Sequence, residues 1–262
     1  MDMKAYYLKL FFIFVVSGVV CIHRGEWAPK HPYNFAVQLF FNNGTFLCGG
    51  SIGSEDQILS ALHCVENLDK YDFFIRVGGY ELGAGRIYYV DDILPHPDIR
   101  YDACIINLTT KIKFDDKEHP SQIIGIPSMA TPLPSTFLFI GWGRVGEKQP
   151  PAPFLKMISL PRVPFERCQR FSFPPSCLCA GFDIPADGQG APCEADSGGA
   201  LFTENPFLLW KAKFKGILSI TSEKKDCDKS GIVNGGISTT QPLVSRWLRQ
   251  KLHKPHVPQI FE

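Results

Sequence analysis

The chain has 262 residues, of which 45% are hydrophobic, and its formal net charge is +1. This much apolar sequence suffices for one large or two smaller folded domains, and it excludes a disordered protein. A nearly neutral charge gives no reason to expect nucleic acid or an anionic membrane as a partner. The 23 glycines and 21 prolines are spread along the chain, which predicts many turns between short strands.

Residues 1–21 are predicted to be a secretory signal peptide. Two lysines precede an apolar run from Leu10 to Val20, which is shorter than the ~20 residues of a membrane-spanning helix. Cleavage after Cys21 would leave a domain of residues 22–262, whereas cleavage after Gly18 would leave a short propeptide in front of it. We therefore expect a secreted, extracellular protein.

Secretion places the nine cysteines in an oxidising compartment, so most of them are expected to be paired. Two Asn-x-Thr triplets, which begin at Asn43 and Asn107, match the acceptor pattern for N-linked glycans. Patterns this short also occur by chance, so the sequence leaves the occupancy of both triplets open.

Segments of alternating polarity, separated by glycine- and proline-rich turns, predict strands at residues 35–41, 73–80, 86–90, 137–143 and 214–220. The only convincing helix covers residues 242–252, whose apolar side chains share one face behind an initial proline. Many strands followed by one late helix predict an all-β fold of two antiparallel barrels. The first barrel would span about residues 22–125 and the second about 126–241.

The stretch CEADSGGALF, residues 193–202, places Ser197 before two glycines. A serine hydroxyl is a weak nucleophile unless a base lies within hydrogen-bond reach and donors await the oxyanion. His63, in SALHC, could be that base. Asp102 stands at the head of the apolar run YDACIINL, where a strand would carry its carboxylate toward the interior. The three residues are therefore a candidate catalytic triad.

These segments resemble those of the trypsin/chymotrypsin family of secreted serine endopeptidases, whose chain order is also His, Asp, Ser. The order differs in α/β-hydrolases and subtilisins, and Ala195 breaks the G-x-S-x-G elbow of the hydrolases. The similarity extends over essentially the whole mature chain through CGGS at 48–51, GWGR at 141–144, CAG at 179–181 and SGIVNGGIS at 230–238. It implies two six-stranded Greek-key barrels and a C-terminal helix.

The resemblance also implies a role for each candidate residue. His63 would accept the Ser197 proton and later pass it to the leaving amine, while Asp102 would orient the imidazole. The backbone N–H groups of Ala195 and Ser197 would form the oxyanion hole.

An activation ion pair is implied as well, between the freed amino group of Ile22 and the carboxylate of Asp196. The residue directly before Ile22 is Cys21, and not Arg or Lys. Cleavage by signal peptidase after Cys21 would therefore release this terminus directly, without a stable zymogen.

The resemblance implies three disulfides, namely Cys48–Cys64, Cys168–Cys179 and Cys193–Cys227. It leaves Cys104 and Cys177 unassigned, so a fourth bridge and two free buried thiols are both open. Zinc binding by Cys168, Cys177 and Cys179 is a remote alternative, because their spacing fits no structural zinc site. We expect neither a metal nor another cofactor.

The specificity pocket implied by the resemblance has Ala191 at its base, Gly231 at an open wall and Ser219, Ile220 and Thr221 along its edge. An alanine at the base offers no charge to a buried Arg or Lys side chain. We therefore expect cleavage after apolar or aromatic residues. Protein or peptide substrates and protease inhibitors are the expected partners, and the protein is expected to be a monomer.

Three residues depart from the family's pattern. Ala195 stands where the family almost always has glycine, and a Cβ there could tilt its N–H away from the oxyanion, losing about 10²–10³ in rate. Ile220 and Thr221 replace the usual Trp-Gly at the edge that pairs with substrate. Two hypotheses follow: an active serine endopeptidase, or a catalytically weak or inactive homologue that acts as a binding or inhibitory protein.

Overall fold

The computed structural model describes residues 22–126, 132–146, 148–171, 173, 177–205, 208–221, 227 and 231–252. The predicted signal peptide and the side chains of Ile220 and Thr221 lie outside the described part of the chain. The strands form a closed barrel and a second sheet, followed by a helix. The predicted all-β architecture with a late helix is confirmed.

The first barrel follows a two-residue strand, β1, and its strands close in the order β2-β3-β4-β7-β6-β5. The bounds are β1 (Glu26–Trp27), β2 (Ala36–Phe41), β3 (Phe46–Ile52), β4 (Gln57–Ser60), β5 (Phe73–Val77), β6 (Arg86–Pro95) and β7 (Cys104–Leu108). Strand β6 continues past Val90, where the sequence predicts its end. The sequence pattern stops there because a register shift between Val90 and Asp92 interrupts the alternation of side chains.

The second sheet has seven strands in the order β1-β9-β8-β11-β12-β13-β10. The bounds are β8 (Thr136–Gly141), β9 (Lys156–Pro161), β10 (Cys177–Gly181), β11 (Ala200–Asn205), β12 (Leu208–Thr221) and β13 (Val233–Ser238), with a short helix α1 (Phe165–Cys168) before β10. A bridge between Arg162 and Ala180 joins the segment after β9 to β10, so these two strands approach each other across the open sheet. Six strands of this sheet correspond to the predicted second barrel. Strand β1 is additional, and with only two residues it is too short to be predicted from the sequence.

Aromatic side chains from both sheets meet in one core. The Phe35 ring packs edge-on against Phe202 of β11 with centroids 5.2 Å apart, and Tyr33 packs against the same ring at 5.4 Å. Edge-to-face contacts of this kind add about 0.5–1.5 kcal/mol to the burial of each ring. The shared core holds the two sheets side by side, so the loops of both border one cleft.

The helix α2 (Pro242–Lys251) packs onto the first barrel through its apolar stripe, as predicted. Val244 and Leu248 are fully buried, and the Trp247 ring lies edge-on to His96 with centroids 4.9 Å apart. The Gln57 side chain donates from Nε2 to the Lys251 carbonyl at 3.0 Å, which anchors the end of the helix. No helix in the described part of the chain is long and apolar enough to cross a bilayer.

Candidate active site

His63 and Asp102 are brought together by the pairing of β4 with β7. Ser60 lies opposite Cys104, so the short 3-10 turn Leu62–Cys64 runs beside residue 102. His63 Nδ1 lies 2.6 Å from Asp102 Oδ2, and the His63 backbone N–H donates to Asp102 Oδ1 at 2.7 Å. Because a carboxylate can only accept, Nδ1 carries the hydrogen and Nε2 is the basic nitrogen of the ring.

Ser219 of β12 supplies a second donor to Asp102. Its Oγ donates to Asp102 Oδ2 at 2.5 Å across 117 residues of sequence. Burial disfavours the charged carboxylate, but the hydrogen bonds from His63 and Ser219 outweigh it and hold the pKa of Asp102 below its usual value. The sequence places Ser219 only in the implied specificity pocket, because no local pattern reveals which residue of β12 reaches Asp102.

Ser197 lies in the turn before β11 and is held from both sheets. The Gly49 N–H of β3 donates to the Ser197 carbonyl at 2.9 Å, and the Gly198 N–H donates to the Leu218 carbonyl at 2.8 Å. Gly198 has φ +81°, and a Cβ there would clash with the Gly49 carbonyl and with Ser60 Oγ. Only glycine at this position lets the serine turn dock against the first barrel.

The three predicted triad side chains line one cleft of 680 Å³. Its walls come from both sheets, with Leu47 and Cys48 on the first barrel and Leu218 on the second. The structure thus brings a candidate nucleophile, a basic imidazole and an orienting carboxylate to the same cleft. This set of groups is suited to acyl transfer at a carbonyl carbon.

Ala195 has φ +68°, in the left-handed region that costs a non-glycine residue roughly 1–2 kcal/mol. Both Ala195 and Ser197 border the cleft, and among the described residues none accepts a hydrogen bond from either backbone N–H. The two donors are therefore available to an oxyanion in the cleft. Alanine here occupies a torsion that suits glycine.

Replacing Ala195 by glycine is expected to raise the free energy of unfolding by about 1 kcal/mol, because glycine adopts positive φ without the Cβ penalty. Thermal unfolding monitored by calorimetry measures the change. The matched control is Ala186→Gly in an exposed loop at ordinary φ, which we expect not to stabilise the protein. A lower melting temperature for Ala195→Gly than for the unmodified chain would contradict the assignment of strain.

Asp196 is buried beside the serine, with 1% of its surface exposed. Its carboxylate accepts hydrogen bonds from the N–H groups of Gly143 and Cys193, both at 2.8 Å. Burial raises the pKa of Asp196 to about 7, although these two hydrogen bonds act in the opposite direction. A buried carboxylate of this kind is stabilised in its charged form by a nearby cation.

Ile22 is also buried, and its side chain belongs to a core cluster of the second sheet that includes Phe137 and Phe139. A Cβ added to Gly141 would lie 3.2 Å from the Phe139 ring and would clash with Asp196 Oδ1, so that ring and the carboxylate are neighbours. The structure therefore seats Ile22 in the same region of the second sheet as Asp196.

Ala191 and Gly231 do not line the cleft in the described part of the chain. Ala191 is 1% exposed and clusters with Cys227 and Ile232, while the neighbouring Cys193 does face the cleft. Gly231 has φ +78°, as a turn glycine. Ala191 therefore affects the cleft through Cys193.

The backbone of Ile220 and Thr221 pairs with Gly235 and Asn234 of β13, at the end of β12. Asn234 is fully buried and lines the cleft, and Arg100 lines it from the first barrel. Neither residue is predictable from the sequence, because a polar residue inside a glycine-rich strand and a charge in a surface loop carry no signal of their own.

Among the described cysteines three disulfides are formed, Cys48–Cys64, Cys168–Cys179 and Cys193–Cys227. Cys104 and Cys177 are free thiols, so the fourth bridge considered above is not formed. Burial raises the pKa of the Cys177 thiol to about 11 and raises that of Cys104 further. The sulfur atoms of Cys48 and Cys64 lie near His63, but their disulfide leaves them no thiolate with which to bind a metal.

A closed barrel and a second sheet, with a histidine–carboxylate pair and a serine in the cleft between them, define the chymotrypsin-like class of β proteins. The family model described as Trypsin matches residues 22–243, and the chain belongs to this family.

The curated proteins that are similar to the chain include one from Tachypleus tridentatus and one from Bombyx mori. The chain is 28% identical to the "Clotting factor G beta subunit" of Tachypleus tridentatus, over 91% of this chain and 82% of that protein. It is 29% identical to the "Vitellin-degrading protease" of Bombyx mori, over 72% of this chain and 70% of that protein.

Proposed function

We propose that the protein is a secreted serine endopeptidase that hydrolyses peptide bonds through an acyl-enzyme. The observation that carries the proposal is the hydrogen-bonded pair of His63 and Asp102 in the same cleft as Ser197. Membership of the trypsin family supports the same reaction. The family match alone supports the more general conclusion that the chain is a serine protease homologue of the hydrolase class.

In the proposed reaction, His63 Nε2 accepts the Ser197 hydroxyl proton as Oγ attacks the substrate carbonyl carbon. The carbonyl oxygen becomes an oxyanion and accepts hydrogen bonds from the N–H groups of Ala195 and Ser197, each worth about 3–4 kcal/mol. His63 then protonates the leaving amine, and a water repeats the sequence to release the acyl group. Asp102, with its pKa held low, remains an anion that stabilises the imidazolium.

The proposed activation step pairs the free ammonium of Ile22 with Asp196. The buried Ile22 side chain and the neighbouring, buried carboxylate support this pairing. An ion pair there would favour the charged form of Asp196, so that it stays an anion at and below neutral pH, and would hold the turn that carries Ala195. Cleavage before Ile22 by signal peptidase would supply the ammonium. Without that cleavage, the turn that carries Ala195 would lack the ion pair.

The proposed substrates are proteins or peptides with an apolar or aromatic residue before the scissile bond. Ala191 supplies no counter-ion to an arginine or lysine, Leu218 gives the cleft an apolar wall, and the Glu194 carboxylate of the cleft is already paired with Arg144 at 3.0 Å. A charged side chain buried without a partner pays a desolvation penalty of several kcal/mol. The protein is proposed to act as a monomer, and protease inhibitors that fill the cleft are proposed partners.

A panel of peptide substrates differing only in this residue tests the preference. We expect kcat/KM for Phe, Tyr or Leu to exceed that for Arg or Lys by about 100-fold or more, because the cleft discriminates by an unpaired charge. Ser197→Ala is the control for contaminating proteases. Preferential cleavage after Arg or Lys, lost in Ser197→Ala, would contradict the proposed specificity but keep the proposed reaction.

The second candidate function is a binding or inhibitory protein on a protease scaffold. The strained φ of Ala195 favours it, because that residue carries one of the two oxyanion donors. A correctly processed protein with a free Ile22 terminus that binds peptides without cleaving them would support this alternative.

A further inference from the structure

The hairpin between β2 and β3 presents the triplet Asn43-Gly44-Thr45 at its tip. All three residues are exposed, and a Cβ built on Gly44 has nothing within 4 Å, so the tip projects into open space. Asn43 Oδ1 accepts a hydrogen bond from the Thr45 backbone N–H at 2.9 Å. The Asn43 side chain is thus fixed by a local turn contact, and it is exposed with respect to the described part of the chain.

The second triplet begins at Asn107, within strand β7 of the closed barrel. Asn107 is half-buried, and its Oδ1 accepts a hydrogen bond from Gln57 Nε2 at 2.9 Å. Gln57 is itself 2% exposed and also donates to the Lys251 carbonyl at the end of α2. A bulky group on the Asn107 amide would have to displace this junction of β4, β7 and α2.

We propose that Asn43, and not Asn107, carries an N-linked glycan in the secreted protein. The inference rests on the proposed secretion. The acceptor chemistry is that of the secretory pathway, with a lipid-diphosphate-linked oligosaccharide as the donor. Asn43 Nδ2 forms a bond to the anomeric carbon of the oligosaccharide and loses a proton. The bond from that carbon to the diphosphate oxygen breaks, and the lipid diphosphate leaves with the electron pair.

The glycan would stand near one rim of the cleft. Strand β3 leads from the hairpin tip to Leu47 and Cys48, which both line the cleft. Three residues lie between Asn43 and Leu47, so the two positions are at most about 13 Å apart, the length that four residue steps reach when fully extended at ~3.3 Å each. Asn43 itself is not among the residues that line the cleft, so the glycan need not block Ser197.

Expression of the full chain in insect cells tests the inference. The secreted protein is treated with peptide:N-glycosidase in heavy-oxygen water, which converts a glycosylated asparagine into labelled aspartate, and is then mapped by mass spectrometry. We expect the label at Asn43 and unmodified asparagine at Asn107. The matched pair is Thr45→Ser, which keeps the acceptor triplet and the glycan, and Thr45→Ala, which removes both.

Labelling of Ser197 by a fluorophosphonate is expected to be equal in Thr45→Ser and Thr45→Ala, since Thr45 lies outside the cleft. A secreted protein with unmodified Asn43, or with label at Asn107, overturns the glycan assignment and leaves the proposed endopeptidase intact. A chain that remains in the cytosol overturns the proposed secretion and the glycan assignment together.

Discussion

Asp102→Asn is expected to lower kcat about 10⁴-fold while the protein stays folded. The asparagine amide would donate to His63 Nδ1 in place of the carboxylate, which now accepts from that atom at 2.6 Å. The imidazole hydrogen would then move to Nε2, and a protonated Nε2 cannot accept the Ser197 proton. Hydrolysis of a small ester or peptide substrate measures the loss.

The matched control for Asp102→Asn is Asp91→Asn, the same chemical change at a carboxylate of β6 with 65% of its side chain exposed. Asp91 lies outside the cleft, and its contact with Lys70 spans 3.9 Å, so we expect a change of less than twofold in kcat. Equal losses in the two variants, or full activity in Asp102→Asn, would show that Asp102 does not orient the base.

Asp196→Asn is expected to destabilise the form of the chain that begins at Ile22 and to stabilise the form in which the Ile22 nitrogen is acylated. When Ile22 is the free amino terminus, the substitution removes the anion of the proposed buried ion pair, at a cost of about 3–5 kcal/mol. We expect the rate of Ser197 labelling at pH 8 to fall by more than about 100-fold, since ~1.4 kcal/mol corresponds to a factor of ten.

In a chain whose Ile22 nitrogen is still acylated, no terminal ammonium is available to the carboxylate. The pKa of Asp196 in the folded chain, about 7, is then above the ~3.9 of an unfolded aspartate. Folding favours the protonated acid, so this contribution to stability is complete below about pH 4 and is lost as the pH rises through 7. Asparagine cannot ionise, and it should stabilise this acylated chain at pH 8 and change little at pH 4.

Thermal unfolding of both forms at the two pH values provides the comparison for Asp196→Asn. A chain released at Ile22 by a specific protease and one that retains Cys21 are otherwise identical. The same shift in both forms would mean that Ile22 does not pair with Asp196, and the proposed activation step would be wrong.

The fold was largely predictable because its strands alternate and its helix is amphipathic. Helix α2 (Pro242–Lys251) ends one residue before the predicted end, and β2 (Ala36–Phe41) starts one residue after the predicted start. The extension of β6 past Val90 was not predictable, since the bulge removes the period-two pattern on which the prediction depends. Strand β1 is too short to show any period.

The site was predictable only where residues of catalytic type stand in recognisable sequence segments. His63, Asp102 and Ser197 stand in recognisable segments, and the structure brings them to one cleft. The bond from Ser219 to Asp102 depends on the folded path of β12, which no local pattern encodes. The state of Cys104 was left open because a disulfide requires a specific Cα separation and direction, which sequence does not contain.

The positive φ of Ala195 likewise became visible only in the folded turn. The sequence shows only that an alanine stands where the family has glycine. The torsion of Ala195 adds that this alanine has a conformational free-energy cost. Whether the two oxyanion donors still act together is therefore the question on which the assignment of an active protease depends.

Reaction of the mature protein with a fluorophosphonate answers this question most directly, because the reagent needs an activated serine and an oxyanion site at once. We predict one adduct per molecule, mapped by mass spectrometry to Ser197, and none in Ser197→Ala or in the denatured protein. A folded protein that has a free Ile22 terminus and forms no adduct would contradict the proposed endopeptidase.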